Sequence, residues 1–328
     1  MTADSRFLVT GPTGFIGRRL CEVLTSRGHV VRAAVREPLH ESSKEPHSIR
    51  LERSLVGEIN GKTDWSEALA DVHGVVHLAG RAHVIHERHI EPLSAYRQIN
   101  VAGTLRLAEA AAAAGVKRFV FVSSIKVNGE STEERPFTEN DIPIPVDPYG
   151  LSKWEAEQGL RQIERETGLD VTIVRPPLVY GPGVKGNFLS LLRLVDSGLP
   201  LPLGLCQNRR SFVGLTNLVD LLVQCIGHPD ATGRTFLAGD GEDLSTPELL
   251  HRMAQACGKR ARLLPVPTGM LRFSARLIGR DRFYERLCGS LQVDAGSARR
   301  VLGWSPPQTV DAELDSTVQW YRSQSRNR

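Results

Sequence analysis

A tyrosine and a lysine four residues apart, Tyr149 and Lys153, are the first residues here whose types and spacing suggest chemistry. On a helix that spacing sets a phenol and an ammonium on one face. A free phenol ionises near pH ~10, too high to trade protons readily at neutral pH. A lysine cation beside it stabilises the phenolate and is expected to lower that value. The pair alone fits a solvated helix as well as a catalytic one. Its place after the proline-rich run Pro143, Pro145 and Pro148, in the second half of an α/β pattern, favours proton transfer. Ser123 and Ser124 close the apolar run 119–122, where Ser124 could hydrogen-bond the oxygen that exchanges the proton; a serine there can equally cap the next turn.

The second run is Gly11, Gly14 and Gly17, at three-residue spacing between an apolar stretch (6–9) and a helical pattern carrying Leu20, Val23 and Leu24. Gly11 suits a tight turn out of the strand, Gly14 a close approach of backbone to a pyrophosphate, and Gly17 close packing of helix on strand. Free amides at the helix start favour a diphosphate. The spacing is GxxGxxG rather than GxGxxG, so the strand–turn–helix context carries the reading of a dinucleotide cradle.

The elements that must position these groups alternate. Apolar runs at 6–9, 30–35, 75–78, 118–123 and 171–175 read as strands, with helices between them, one containing Ala108 to Ala114 and stopping at Gly115. This alternation implies an α/β fold, a Rossmann-type doubly wound parallel sheet with a smaller C-terminal substrate-binding lobe. We read residues 1–178 as the nucleotide-binding domain and 179–328 mainly as the substrate lobe, with 211–240 returning to the first. Residues 38–50 are polar and aperiodic and read as a mobile loop, and the tail after Arg322 as frayed.

Bulk properties narrow the class. The chain has 328 residues, 41% hydrophobic and 24% charged, as ordinary soluble enzymes do. A net charge of +4 does not argue for nucleic acid, and the basic residues Lys44, Arg50 and Arg53 lack interleaved aromatics. Five scattered cysteines without CxxC suggest free thiols in a reducing cytoplasm. No signal peptide or membrane span is visible. The apolar stretch from Met270 to Ile278 is broken by Arg272 and Arg276. It reads as an amphipathic helix buried within its domain, the alternative being contact with lipid or a partner. His83, His86 and His89 invite a metal, but no carboxylate or cysteine completes a site, so none is expected.

With these residues in view, the chain resembles the extended short-chain dehydrogenases/reductases, the family of nucleotide-sugar epimerases, dehydratases and reductases. The glycine run, His77-Leu78-Ala79-Gly80, Asn100-Val101-x-Gly103-Thr104, Ser123-Ser124, Tyr149/Lys153 and the run 175–183 (RPPLVYGPG) occur in the family's order over nearly the whole length. The resemblance implies Ser124, Tyr149 and Lys153 as catalytic residues. It implies Gly11, Thr13, Gly14, Phe15, Ile16, Arg36, Glu58, Ile59, Leu78, Ala79, Gly80, Pro176 and Val179, with Tyr149 and Lys153, as the cofactor site. His77 to Gly80 would line the groove, Asn100 would brace the sheet, and Asn187 and Arg210 would meet a sugar nucleotide's diphosphate. Arg81 and His83, directly after the groove, would be placed to touch the sugar.

Departures from the family pattern narrow the activity. Ile125 and Lys126 stand where the 4,6-dehydratases carry an acidic pair, which argues against dehydration. Asn128 replaces a frequent tyrosine. Val35 and Arg36 occupy the end of the second strand where NAD-preferring members have an acid, so NADP is slightly favoured over NAD. Further segments are similar to the bacterial 4-reductases of UDP-4-keto-6-deoxy-N-acetylhexosamines, which implies NAD(P)H-dependent reduction of a C4 ketone in surface-polysaccharide precursor synthesis. The alternative is a UDP-hexose or UDP-N-acetylhexosamine 4-epimerase with tightly bound NAD; a non-catalytic NAD(P) sensor is a distant third. A UDP-sugar is the expected partner, and a homodimer is usual in the family.

Overall fold

The apolar runs are short and β-branched, which suits strands covered on both faces. The structure, a computed structural model, describes residues 5–37, 51–82, 92–277 and 279–326. Its strands are β1 (Arg6–Thr10), β2 (Val30–Val35), β3 (Leu51–Leu55), β4 (Gly74–His77), β5 (Arg118–Val122), β6 (Asp170–Arg175), β7 (Leu178–Tyr180), β8 (Arg210–Gly214), β9 (Thr235–Leu237) and β10 (Asp243–Leu244). Seven form one sheet in the order β3-β2-β1-β4-β5-β6-β9, each neighbouring pair parallel. This is the expected doubly wound α/β sheet. Its order reverses beside β1 and β4, so the crevice for a ligand opens at the carboxyl ends of those strands.

The helices are α1 (Phe15–Ser26), α2 (Ser66–Leu69), α3 (Pro92–Tyr96), α4 (Thr104–Ala113), α5 (Pro148–Thr167), α6 (Gly186–Asp196), α7 (Leu215–Gly227), α8 (Thr246–Ala256), α9 (Thr268–Leu277), α10 (Asp281–Cys288), α11 (Gly296–Leu302) and α12 (Val310–Arg326). Alternating strand residues feed two cores. Val9, Val76 and Val120 pack with Leu20 and Leu24 of α1 and Leu218 and Leu222 of α7. Leu8, Val75 and Phe119 face the other way, onto Leu107 of α4 and Leu160 of α5. A π-helical stretch, Arg97–Gly103, runs directly into α4.

The C-terminal lobe has its own core, with Tyr180, Phe188, Phe212, Leu250, Met253 and Leu314, and a small sheet in the order β10-β8-β7. Phe15, at the start of α1, packs against both this core and the first. Between residues 211 and 240 the chain divides its allegiance. Strand β8 stays in the small sheet, α7 covers the large one, and β9 completes it.

One expectation from sequence needs correction. The helix around Met270 is formed, as α9, but is not buried: Met270, Phe273 and Leu277 are 62%, 64% and 72% exposed. The five cysteines are free, as expected, and the fold brings Cys206 Sγ and Cys288 Sγ to 2.8 Å of each other. The expected mobile loop at 38–50, with Lys44 and Arg50, lies outside the described residues, as do His83, His86 and His89. No helix among the described residues is long and apolar enough to cross a membrane.

Candidate active site

The glycine turn leaves β1 with Gly11 at φ +66°, a left-handed conformation that favours glycine. Gly17 is restricted more severely, because a Cβ there would sit 2.1 Å from the Gly11 carbonyl oxygen. The close partner of Gly17 is therefore the turn itself, not the strand expected from sequence. Thr13 and Gly14 are exposed on this turn, and Phe15 and Ile16 are half-buried. Helix α1 then begins with no acidic side chain in its first turn, and Gly14 caps it without a side chain. Its first amides have no acceptor within the helix and are free to donate to an anion. A backbone this close and this free of side chains fits the pyrophosphate of a dinucleotide.

The opposite wall of the groove follows β4. Thr10 Oγ1 accepts from the backbone N–H groups of Leu78 and Ala79, both at 3.1 Å. His77 does not line the groove. Its ring is fully buried, 2.7 Å from Thr10 Oγ1 through Nδ1 and 2.9 Å from Thr104 Oγ1 through Nε2. Burial, and then the charge of Lys153, bring its pKa down to about 3, so the ring stays neutral and ties β1, β4 and α4 together. Gly80 lies between Asn100 and Lys153, where a Cβ would come within 3.1 Å of Asn100 Oδ1 and 3.4 Å of Lys153 Nζ.

Asn100 links groove and catalytic helix. Its Oδ1 accepts from Arg81 N at 2.7 Å, and its Nδ2 donates to Arg81 O and to Ser152 Oγ, each at 3.0 Å. The Arg81 guanidinium lies 5.7 Å from the centre of the Tyr96 ring. Tyr96 in turn meets the Tyr149 ring edge-on, with centroids 6.3 Å apart.

Helix α5 sets the phenol and the ammonium. Asp147 caps it by accepting from Gly150 N at 2.7 Å, and Pro148 occupies the first turn, where a missing N–H costs nothing. Lys126 pairs with Asp147, and its Nζ also lies 3.0 Å from Glu130. The residue standing in place of a dehydratase acid thus secures the start of α5, while its neighbour Ile125 is buried in a small apolar cluster. Tyr149 is half-buried and hydrogen-bonded to Ser124. Lys153 is buried one turn on, its Nζ 2.9 Å from Val122 O and 4.4 Å from the centre of the Phe121 ring. Ser124 both faces Tyr149 and caps the next turn, accepting from Lys126 N at 3.3 Å.

The protonation of the pair differs from the expectation. Burial pushes the Tyr149 phenol up to about 12, with the Ser124 hydrogen bond opposing it. Burial also lowers Lys153 to about 8, with the Glu157 carboxylate acting against the fall. Desolvation outweighs the Ser124 hydrogen bond, and the Asp147 carboxylate adds to the rise.

Behind the pair lies a network missed in the sequence. Glu157, one turn beyond Lys153, accepts from Ser123 Oγ at 2.5 Å and from Arg175 Nε at 3.0 Å. Arg175 Nη1 donates to Asn128 Oδ1 at 2.9 Å, and Asn128 Nδ2 to Thr138 O at 2.9 Å. This explains Asn128: its amide accepts from a buried guanidinium and donates to a loop carbonyl. The signal available in the sequence was the four-residue step from Lys153 to Glu157 on the same helix face.

Arg36 follows β2 and is exposed, and the Glu58 side chain is exposed too. Ile59 turns its side chain into the core beside Gly103, so only its main chain could meet a ligand. Pro176 is buried, with its carbonyl accepting from Ile125 N at 3.0 Å, and Val179 is half-buried in β7. Asn187 is exposed at the start of α6. Arg210 is half-buried, and its Nη1 donates to Gly289 O at 2.9 Å. No hydrogen bond between described residues joins Asn187 or Arg210 to Ser124, Tyr149 or Lys153. No cluster of three His, Cys, Asp or Glu residues that could hold a metal is found among the described residues.

The comparisons with known proteins agree with this geometry. The model of the NAD dependent epimerase/dehydratase family matches residues 7–239. The chain is 45% identical over 327 residues to a UDP-glucose 4-epimerase of Vibrio cholerae, covering 98% of this chain and 96% of that protein. It is 27% identical to an N-acetyl-α-D-glucosaminyl-diphospho-ditrans,octacis-undecaprenol 4-epimerase of Escherichia coli O157:H7, covering 97% and 95%. The solved structure of MoeE5 in complex with UDP-glucuronic acid and NAD superposes with a TM-score of 0.75 at 26% identity, covering 98% of this chain and all of that one.

Proposed function

Because the chain belongs to the NAD dependent epimerase/dehydratase family, we propose that it is a UDP-sugar 4-epimerase that keeps its nicotinamide cofactor through turnover. The observation that carries this reading is the 45% identity, end to end, to a relative named for that activity. It moves the balance from the 4-ketone reduction suggested by the sequence to the alternative. The same catalytic groups serve both.

In this reading the glycine turn and the first amides of α1 hold the cofactor's diphosphate, and Leu78 to Gly80 form the facing wall. NAD, when bound, supplies a hydride acceptor that can return the hydride. Ser124 Oγ holds the C4 oxygen of the sugar. As the phenolate, Tyr149 Oη takes the proton of the C4 hydroxyl as the carbon is oxidised, and returns it, becoming phenolate again, when the ketone is reduced on its other face. Lys153, charged below about pH 8, stabilises that phenolate against the burial that otherwise keeps the phenol protonated. Ser124 also positions the phenol, so one hydroxyl orders both the acid and the oxygen it serves.

Ketone reduction with NADPH is kept as a second reading, supported by the exposed Arg36 where a carboxylate would favour NAD. The deciding experiment gives the purified protein UDP-glucose, UDP-N-acetylglucosamine or polyprenyl-diphosphate-linked N-acetylglucosamine (the last prompted by the E. coli relative), without added cofactor. Conversion to the C4 epimer, lost in Tyr149→Phe, supports the epimerase. Failure on all three, with stoichiometric NADPH consumption on a UDP-4-keto-6-deoxy-N-acetylhexosamine, would replace it with the reductase.

A further inference from the structure

Helix α9 is amphipathic twice over. Leu271 turns inward and packs against the core of the C-terminal lobe. Met270, Phe273 and Leu277, at i, i+3 and i+7, form a second apolar stripe that points to solvent, more than 60% exposed at each position. At 100° per residue this stripe lies well away from Leu271, so the packing that seats the helix leaves it uncovered. In α10, Phe283 is 57% exposed. A helix needs one apolar face to join a core; a second needs another explanation.

The charges beside the stripe supply one. Residues 268–288 carry five arginines against two carboxylates. Arg272 and Arg276 are exposed one turn apart, on the flank next to Phe273. They lie 3.8 Å from Glu285 and 3.4 Å from Asp281, which ties α9 to α10. Arg280 and Arg286 are exposed and have no acidic partner among the described residues. Large apolar side chains flanked by arginines match the boundary of a lipid layer, where the apolar groups enter the acyl region and guanidiniums stay with the phosphates. An excess of positive charge selects an anionic surface.

We propose that α9 and α10 dock this protein on an anionic membrane surface, with Met270, Phe273 and Leu277 inserted and the arginines on the lipid phosphates. The inference stands apart from the reading of the active site. It is tested on the full-length protein by flotation with vesicles, either phosphatidylglycerol mixed with phosphatidylethanolamine or phosphatidylcholine alone. The expected result is flotation with the anionic vesicles only, weakened by salt. Phe273→Asp/Leu277→Asp should lower the bound fraction at least about tenfold while circular dichroism and turnover stay unchanged. No flotation with either vesicle, or flotation that the double variant retains, would overturn the proposal. So would a dimer that the double variant dissociates without any lipid binding, which would make the face a contact between two copies.

Discussion

Two regions of this molecule invert the usual rule of burial. Behind Tyr149 and Lys153 the protein buries charge: Glu157 and Arg175 are almost inaccessible, and each polar atom there finds a partner. Along α9 it exposes large apolar side chains. Buried charge is tolerated only when paired, and removing one partner is far costlier than exposing a side chain already in water. The first region is therefore rigid and intolerant of change. The second can change without disturbing the fold, and its composition answers to whatever it meets outside.

This contrast can be tested in order of expected effect. Tyr149→Phe should lower kcat by about 10²–10⁴-fold, read in an epimer-conversion assay, with the thermal midpoint little altered. Glu157→Ala strands a buried guanidinium and should cost about 3–5 kcal/mol in urea unfolding. The solvent-facing pair of exposed Arg97 and half-buried Glu155 is the control, since Glu155→Ala should cost no more than about 1 kcal/mol. Equal costs would erase the distinction drawn between a buried network and a surface pair. Gly17→Ala forces the turn away from its helix and should cost about 1–3 kcal/mol while weakening NAD binding, seen by calorimetry.

The pH dependence of stability follows from the same buried half. His77 has a folded pKa of about 3 against an ordinary 6.5. Its unfolded form takes up the proton first, so its contribution is complete above pH 6.5 and is lost as the pH falls towards 3. Lys153 lies at about 8 against 10.5, so stability should rise with pH across that window and the rise should vanish in Lys153→Met. Urea midpoints measured against pH read both effects. The smallest effect is expected on α9, where Phe273→Ser should leave stability within about 0.5 kcal/mol. A larger loss would mean that the stripe is packed against protein after all.

Much of the first half was legible because its signals are local. Short β-branched runs, glycines at a turn and a four-residue step on a helix depend on backbone geometry within a few residues. The split of Leu8 and Val9, or Val75 and Val76, between two cores was not read there and came with the packed sheet. The direction of the Tyr149 shift was not legible, because it depends on how much solvent the folded chain removes around the phenol. Nor was the place of His77, which sits within a groove motif yet faces the core between Thr10 and Thr104.

Sequence by itself determined the order of elements, the parallel α/β sheet, the glycine turn and the shared face of Tyr149 and Lys153, because each is set by residue type at short spacing. Only the tertiary structure decided what surrounds them. It brought Asn128 to Arg175 across 47 residues and Cys206 to Cys288 across 82. It also turned the apolar stripe of α9 outward, while Leu271 packs against the core on another side of that helix. Burial and partnership are properties of the packed chain, and no local pattern of residues contains them.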